Sequence, residues 1–364
     1  MNIFFRVDSS TKIGGGHVVR CLRLANQLKA FAVNIEFICW DYEGNLGHKI
    51  CDNNFKVNLI DHNHNKEGFV PSTRGATEKY MWELDLSETS KILNKVNSKI
   101  DLIIVDHYLL DHRWEKEISK LSRKLMVIDD LGNRPHYCDL LLDQGFDAQS
   151  KYDGLLEDDC IKLCGNEYVL LDPSFNKKRD KIDFELDLDL SKPVLVFFGT
   201  NDVIGHTIRF SRLILEHFKY ISVKAIFSGN FNEGNELKSL SMDFEERFSY
   251  LRDIDNMPDE VLKCCLAVSS IGMTTWEYMC LGIPSCQITT EDYQISILEK
   301  LDRAGLCNYI GHIDEINDKI FVMKFEKFIT ARQKILSIRE NAMEQVDGDG
   351  LRRVVDQIME VVLG

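Results

Sequence analysis

A glycine-rich stretch near the start of the chain, SSTKIGGGHVVR, places three glycines directly before His17. Gly14, Gly15 and Gly16 let the backbone turn tightly and approach a ligand where a Cβ would clash. A helix that begins near His17 presents unpaired N–H groups and the positive end of its dipole, which attract an anion. The stretch predicts an imidazole that acts on a group attached to a bound anion. An ordinary strand–turn–helix connection is the alternative.

A second stretch, SSIGMTTWEYMCLGIP, predicts a nucleotide site. Gly272 permits a tight entry into a helix. Met273, Thr274 and Thr275 would then expose N–H groups and hydroxyls that suit a diphosphate. Glu277 follows closely enough to accept hydrogen bonds from a ribose diol. The alternative is a capped helix whose glutamate complements the helix dipole.

Polar residues also follow several apolar, strand-like runs in both halves of the chain. They are Asp8 after NIFFRV, Asp106, His107 and Tyr108 after DLIIV, Gly199, Thr200, Asn201 and Asp202 after VLVFF, and Ser269 and Ser270 after LAV. Ligands of parallel α/β sheets bind beyond the carboxyl ends of the strands. The four groups together therefore predict one active cleft to which both halves contribute.

The elements that must position these residues are short, nearly continuous apolar runs separated by amphipathic, helix-like segments. This pattern is typical of parallel sheets covered on both faces. A charged stretch with two prolines interrupts the pattern before it restarts. We therefore expect an α/β chain with two doubly wound, Rossmann-like domains facing a cleft. The predicted parts are a first domain (1–170), a linker (171–192), a second domain (193–346) and a C-terminal helix (347–364).

Net charge, apolar content and cysteine spacing disfavour several classes of binding partner. The 364 residues carry a net charge of −14, which disfavours nonspecific binding of nucleic acid. The sequence has neither a signal-peptide pattern nor an apolar run of membrane-spanning length. Its 11 cysteines are scattered without metal-ligand spacing, and His62 and His64 lie in a polar stretch. We expect a cytoplasmic monomer with buried free thiols, no metal, no cofactor and no membrane partner.

Taken in chain order, the motifs resemble the UDP-2,4-diacetamido-2,4,6-trideoxy-β-L-altropyranose hydrolases of pseudaminic acid biosynthesis. The resemblance runs from Met1 to about Gly311, through RVDSSTKIGGGHVVRCLRLA, IIVDHY, IDDLGNRPHYCDLLLDQ, GTND and SSIGMTTWEYMCLGIP. The last block is broader, since it is similar to one in the UDP-N-acetylglucosamine transferase of peptidoglycan synthesis. The resemblance implies the GT-B architecture, with UDP bound mainly by the C-terminal half.

The resemblance also implies roles for individual residues. His17 matches the catalytic histidine, Tyr108 lines the sugar site, and Glu277 binds the ribose. Asp106 joins His17 and Tyr108 among the predicted catalytic residues, although the sequence leaves open whether Asp8 or Asp106 orients His17. The predicted substrate-binding residues are Gly14, Gly16, Arg20, Gly199, Thr200, Ser270, Gly272, Met273, Thr274, Thr275, Glu277 and Gln294.

Three positions depart from the family pattern. Phe198 stands where the strand loop usually has a glycine, and Asp172 stands where an arginine is common. Gln294, in EDYQ, matches one member of a late Asn-Gln pair. These departures concern the fine contacts and the exact sugar.

The reaction implied is hydrolysis of a UDP-sugar to UDP and free sugar. His17 takes a proton from water as the water attacks the anomeric carbon, and backbone donors at 272–275 stabilise the leaving UDP. We expect C–O cleavage with inversion and no need for a metal. The alternatives are a GT-B glycosyltransferase with a UDP-sugar donor and a nucleotide-sugar-binding protein without turnover. Release of UDP without an acceptor distinguishes the hydrolase from both.

Overall fold

The computed structural model describes most of the chain. The described residues are 1–61, 82–182, 189, 191–199, 202, 205–227, 234–254 and 256–364. Of the positions singled out above, Thr200, Asn201, His62 and His64 lie outside the described residues. The chain divides into two compact units, one formed by Met1–Leu170 with Asp349–Gly364 and the other by Leu171–Gly348.

The first unit is built on a seven-stranded parallel sheet. Its strands are β1 (Asn2–Val7), β2 (Asn34–Trp40), β3 (Lys56–Ile60), β4 (Ile100–Asp106), β5 (Ser122–Ile128), β6 (Leu140–Asp143) and β7 (Ile161–Cys164). They lie side by side in the order β3-β2-β1-β4-β5-β6-β7. The order reverses between β1 and β4, so the carboxyl ends of these two strands form the topological switch point at which such sheets bind ligands.

Helices cover both faces of this sheet. They are α1 (Gly16–Leu28), α2 (Gly47–Asp52), α3 (Trp82–Leu93) and α4 (His112–Ile118). Alternate residues of β1 explain the two layers, because successive strand side chains point to opposite faces. Ile3 and Phe5 pack with Val18 of α1 in one core cluster, whereas Phe4 packs with Trp114 of α4 in the other.

The second unit contains a six-stranded parallel sheet. Its strands are β8 (Val194–Phe197), β9 (Val223–Phe227), β10 (Phe248–Arg252), β11 (Leu266–Ser270), β12 (Ser285–Thr289) and β13 (Asn308–His312). The order is β10-β9-β8-β11-β12-β13, so the switch point lies between β8 and β11. The helices of this unit are α5 (Pro173–Arg179), α6 (His206–His217), α7 (Asn235–Asp243), α8 (Met257–Leu262), α9 (Met273–Cys280), α10 (Ile295–Arg303), α11 (Asp318–Ile329) and α12 (Arg332–Gln345).

The chain ends in α13 (Gly350–Leu363), which belongs to the first unit rather than to the second. Val355 and Ile358 are buried in the same core cluster as β1 and α1. The sequence predicted this helix but did not indicate which unit it joins. It also gave no separate signal for the short strands β7, β10 and β13.

The expected fold class of two doubly wound α/β domains is confirmed. The stretch expected as a linker contains the helix α5, whose N-cap Asp172 accepts a hydrogen bond from the Ser174 N–H at 2.9 Å. All 11 cysteines are free, and nine of them are buried. No helix in the described part of the chain is both long enough and apolar enough to cross a bilayer.

Candidate active site

The glycine loop of the first unit is a tight turn that delivers His17 to the carboxyl end of β1. Ser10 Oγ accepts hydrogen bonds from the N–H groups of Lys12 and Ile13 at 3.1 and 2.9 Å. Gly14 closes the turn in the left-handed region, with φ of 81°. A Cβ on Gly15 would lie 2.6 Å from a methyl carbon of Leu46. The left-handed backbone therefore favours glycine at Gly14, whereas a side chain at Gly15 would require the end of the Leu46 side chain to move.

His17 is the second residue of α1, close to the position that the sequence indicates, and it meets Asp106 at the end of β4. His17 Nδ1 lies 2.5 Å from Asp106 Oδ1. An ionised carboxylate only accepts hydrogen bonds, so this contact requires the proton on Nδ1. A neutral His17 then keeps its lone pair on Nε2, which is the atom that can accept a proton.

Arg20 binds the same carboxylate from the next turn of α1. Its Nε and Nη2 lie 2.6 Å from the two oxygens of Asp106, the fork geometry of a bidentate pair. Burial alone would raise the pKa of Asp106, but the charge of Arg20, with His17, holds it well below its usual range. Asp106 therefore stays ionised and keeps His17 in the tautomer described above.

Asp8, the other acid at this end of the sheet, belongs to a separate buried network. It accepts two hydrogen bonds from Arg6 at 2.7 and 2.8 Å and one from the Trp40 N–H at 2.8 Å. Asp85 binds the remaining side of Arg6, and His107 Nε2 lies 3.2 Å from Asp8. The geometry thus selects Asp106 over Asp8 as the partner of His17.

Tyr108 stands against the other side of His17. The two rings meet edge to face, with centroids 4.6 Å apart and an interplanar angle of 79°. The Tyr108 hydroxyl donates to Asp130 Oδ2 at 2.9 Å, and Arg20 Nη1 lies 3.4 Å from the same oxygen. Asp130 follows β5 in the motif IDDLGN, and the sequence analysis assigned it no role. The signal that could have identified it is the pair of acidic residues directly after a strand, at the edge of the sheet where ligands bind.

In the second unit, the predicted diphosphate turn leads from β11 into α9. Gly272 is the exposed N-cap, and Met273 and Thr274 are half-buried. Thr275 is fully buried, and its hydroxyl accepts a hydrogen bond from the Gly272 N–H at 3.2 Å. Thr275 therefore shapes the turn from inside. A direct contact between its hydroxyl and a ligand stays a prediction.

Glu277 is the fifth residue of α9 and only 3% exposed. The field of a helix terminus weakens beyond the first turn. This position therefore makes Glu277 a poor complement to the helix dipole. The carboxylate is better explained by a specific polar partner, and its proposed ribose contact stays a prediction.

The remaining predicted binding residues lie in loops after other strands. Gly199, with φ of 90°, follows β8, and a Cβ there would meet nothing within 4 Å. Ser270 ends β11, its hydroxyl 3.5 Å from the carbonyl oxygen of Phe198. Gln294 is nearly buried after β12, and its Oε1 accepts hydrogen bonds from the N–H groups of Thr290 and Glu291 at 2.8 and 3.3 Å. Its side chain thus organises its own loop.

Asp202 caps the first helix that follows β8. Its two carboxylate oxygens each accept a backbone hydrogen bond at 2.8 Å, from the N–H groups of His206 and Thr207 in α6. A carboxylate already occupies the N-terminus of α6, so this terminus does not offer a free anion site. The turn into α9 has no such acid in its first turn.

A search of the described residues finds no group of three or more His, Cys, Asp or Glu side chains that could hold a metal ion.

Comparison with known sequences finds distant relatives, and no family model matches the chain. A Campylobacter jejuni protein named UDP-2,4-diacetamido-2,4,6-trideoxy-beta-L-altropyranose hydrolase is 30% identical over 192 residues, 50% of this chain and 58% of that protein. MJ1062 of Methanocaldococcus jannaschii is 24% identical over 290 residues, 78% of this chain and 54% of that protein. The chain thus spans little more than half the length of these two relatives. The spore coat polysaccharide biosynthesis protein SpsG of Bacillus subtilis is 19% identical, with 97% of this chain and 96% of that protein aligned.

Solved structures with the same architecture include sugar-nucleotide enzymes of the GT-B class. MurG of Acinetobacter baumannii superposes with a TM-score of 0.67 at 12% identity, covering 99% of both chains. The UDP-GlcNAc 2-epimerase of Neisseria meningitidis, bound to UDP-GlcNAc, gives a TM-score of 0.60 at 12% identity, covering 99% of this chain and 100% of the epimerase. At such low identity, these likenesses establish the fold.

Proposed function

We propose that the protein hydrolyses UDP-2,4-diacetamido-2,4,6-trideoxy-β-L-altropyranose to UDP and the free sugar. Water attacks the anomeric carbon, and the bond from that carbon to the UDP oxygen breaks with its electron pair leaving on UDP. His17 Nε2 accepts the proton of the attacking water. The Campylobacter relative, which carries this hydrolase name, and the motifs from Met1 to about Gly311 support the substrate class.

The observation that carries the proposal is the 2.5 Å contact between His17 Nδ1 and Asp106 Oδ1. It supports a neutral imidazole whose Nε2 lone pair is available as a general base. Arg20 neutralises the charge of Asp106, so His17 is in contact with an ion pair of no net charge and not with an unpaired buried carboxylate. A protein that only binds nucleotide sugars has no need of this arrangement.

The leaving UDP is assigned to the turn from Gly272 to Thr275 in the second unit. Backbone N–H groups at the start of α9 can stabilise charge that grows on the diphosphate, typically by a few kcal/mol for each donor. Attack at phosphorus usually recruits a metal or a cationic clamp. The sequence has no Lys or Arg between Val268 and Pro284, which favours cleavage at carbon.

Hydrolysis in ¹⁸O-labelled water tests the proposal. We expect UDP release without any acceptor, label in the sugar and none in UDP, an inverted anomeric product by proton NMR, and a rate that EDTA leaves unchanged. Label in UDP would overturn attack at carbon. UDP release only after addition of an acceptor sugar or lipid would favour a glycosyltransferase, the activity of several proteins with this fold.

A further inference from the structure

We propose that Asp130 is a positioning residue that holds Tyr108 and, through Tyr108, the imidazole of His17. This inference rests on the proposed function, because it takes His17 as the base. Five side chains form a closed ring of contacts: His17 to Asp106, Asp106 to Arg20, Arg20 to Asp130, Asp130 to Tyr108, and Tyr108 to His17. Asp130 is the member that ties Tyr108 into the ring.

Polar contacts at one ring nitrogen do not fix an imidazole. Asp106 accepts from His17 Nδ1 and sets the tautomer, and Arg20 Nη2 lies 3.1 Å from the same nitrogen. Because both contacts are made at Nδ1, the His17 ring can still swing about this atom. The edge-to-face contact with Tyr108, at 4.6 Å between centroids, restricts that swing. Tyr108 holds its own orientation because its hydroxyl donates to Asp130 Oδ2 at 2.9 Å. The direction of the Nε2 lone pair thus depends on a carboxylate that does not touch His17.

Asp130 is itself held by a rigid turn. The side chain of the preceding Asp129 accepts hydrogen bonds from the N–H groups of Leu131 and Gly132 at 3.0 and 2.9 Å. Lys151 Nζ donates to the carbonyl oxygen of Asp130 at 3.3 Å. The backbone is therefore anchored on both sides of the carboxylate, as preorganisation of a site requires.

Charge balance is the competing explanation for Asp130, and the distances oppose it. Arg20 already makes two bonds of 2.6 Å to Asp106, whereas its Nη1 lies 3.4 Å from Asp130. The positive charge of Arg20 is thus matched before Asp130 is counted. The shorter contact of Asp130 is the one to the Tyr108 hydroxyl.

A double-mutant cycle on the full chain tests the proposal. Asp130→Ala and Tyr108→Phe each remove the hydrogen bond that holds the aromatic ring at position 108. We therefore expect each variant to lower kcat about 10- to 100-fold and to keep UDP affinity within about two-fold of wild type. The double variant should be no slower than the slower single variant, because both changes break the same link. Asp130→Asn keeps an acceptor oxygen and should restore kcat to within a few-fold of wild type. The matched control, Asp153→Ala at an exposed position of the same unit, should match wild type.

A second measurement does not depend on turnover. In protein labelled only at histidine and tyrosine, we expect a nuclear Overhauser contact between the ring protons of His17 and Tyr108. It should persist in Asp130→Asn and disappear in Asp130→Ala. Additive losses in the cycle, or a contact that survives Asp130→Ala, would overturn the positioning role. A wild-type protein that shows the contact yet releases no UDP from the substrate would refute the proposed function and leave the geometry intact.

Discussion

At the scale of single residues, the site brings together side chains that are far apart in sequence. His17 and Asp106 are separated by 89 positions, yet they meet because β1 and β4 are neighbours and Val7 pairs with Asp106. Asp8 lies close to the same strand end but is committed to Arg6 and Trp40. The sequence left open which of these two acids orients His17. In the structure Asp106 contacts His17 at the candidate site, whereas Asp8 belongs to a buried network in the core.

His17→Asn is expected to abolish turnover while UDP affinity stays within a few-fold. Asparagine keeps a polar group of related shape but has no lone pair that can act as a base near neutral pH. UDP release and calorimetry with UDP measure the two quantities on the same preparation. His48→Asn, an exposed histidine of the same unit, is the control. Near-wild-type turnover of His17→Asn would remove the residue from its role as base.

Glu277→Gln is expected to weaken UDP binding about ten-fold or more. The variant keeps the volume of a buried side chain but removes the charge, and a hydrogen bond to a charged group contributes about 1.5–3 kcal/mol. Titration calorimetry with UDP is the measurement, and Glu299→Gln on the exposed side of α10 is the control. Unchanged affinity would assign Glu277 to the fold instead of the ribose.

At the scale of elements, α4 is joined to the loop after β5 by a buried ionic cluster. His136 Nδ1 lies 2.7 Å from Glu115 Oε1, and Nε2 lies 3.7 Å from Asp129 Oδ2, an ion-pair distance. The Tyr137 N–H donates to the other Glu115 oxygen at 2.7 Å. Burial alone would lower the pKa of His136, but the carboxylates of Asp129 and Glu115 raise it to about 9. Asp129 also accepts the hydrogen bonds of the turn that contains Asp130. The cluster therefore helps to hold the backbone at Asp130 in place.

The raised pKa of His136 predicts a pH-dependent stability. The folded state holds the His136 proton more tightly than the unfolded chain, whose usual pKa is about 6.5. The contribution is therefore complete below about pH 6.5 and is lost as pH rises through about 9. Its full size is on the order of 3 kcal/mol.

Urea unfolding of wild type and His136→Gln at pH 6 and pH 9.5 measures this contribution. The destabilisation caused by His136→Gln should be large at pH 6 and shrink at pH 9.5. His48→Gln, which replaces an exposed histidine, should follow wild type at both pH values. An equal loss at both pH values would show that His136 stabilises the fold through packing and not through its charge.

At the scale of the whole molecule, the chain leaves the first unit at Leu170 and returns to it at Asp349. The helix α13 completes a core that begins with β1, so the first unit needs both ends of the chain. The backbone of Val169 packs against Gly350, the first residue of α13. A Cβ on Gly350 would lie 2.5 Å from the Val169 carbonyl oxygen. Gly350 thus allows the helix to start directly against the backbone.

Ile358→Ala is expected to destabilise the first unit by about 2–5 kcal/mol, because it leaves a cavity in a fully buried site. Hydrogen exchange should accelerate in β1 and β4 and remain unchanged in β8 and β11. Glu360→Ala, on the exposed side of the same helix, should change neither. Faster exchange confined to the second unit would contradict the assignment of α13 to the first.

Local pattern determined much of this protein. Nearly continuous apolar runs identified the central strands, because strands buried on both faces leave no room for polar alternation. The glycine loop placed His17 at a helix start, and SSIGMTTWE placed Gly272 at another. These features depend on residues close together in the chain, so the sequence alone could predict them.

Tertiary structure decided the rest. The choice of Asp106 over Asp8, the tie between Asp130 and Tyr108, and the return of α13 to the first unit all join residues that are distant in sequence. Hydrophobic periodicity specifies that a face is buried but not which element covers it. The sequence did not reveal β7, β10 and β13 because each of these edge strands is only partly buried, so none carries a continuous apolar run. Sheet order and register, which arise only when the whole core packs, determined which carboxylate reaches which histidine.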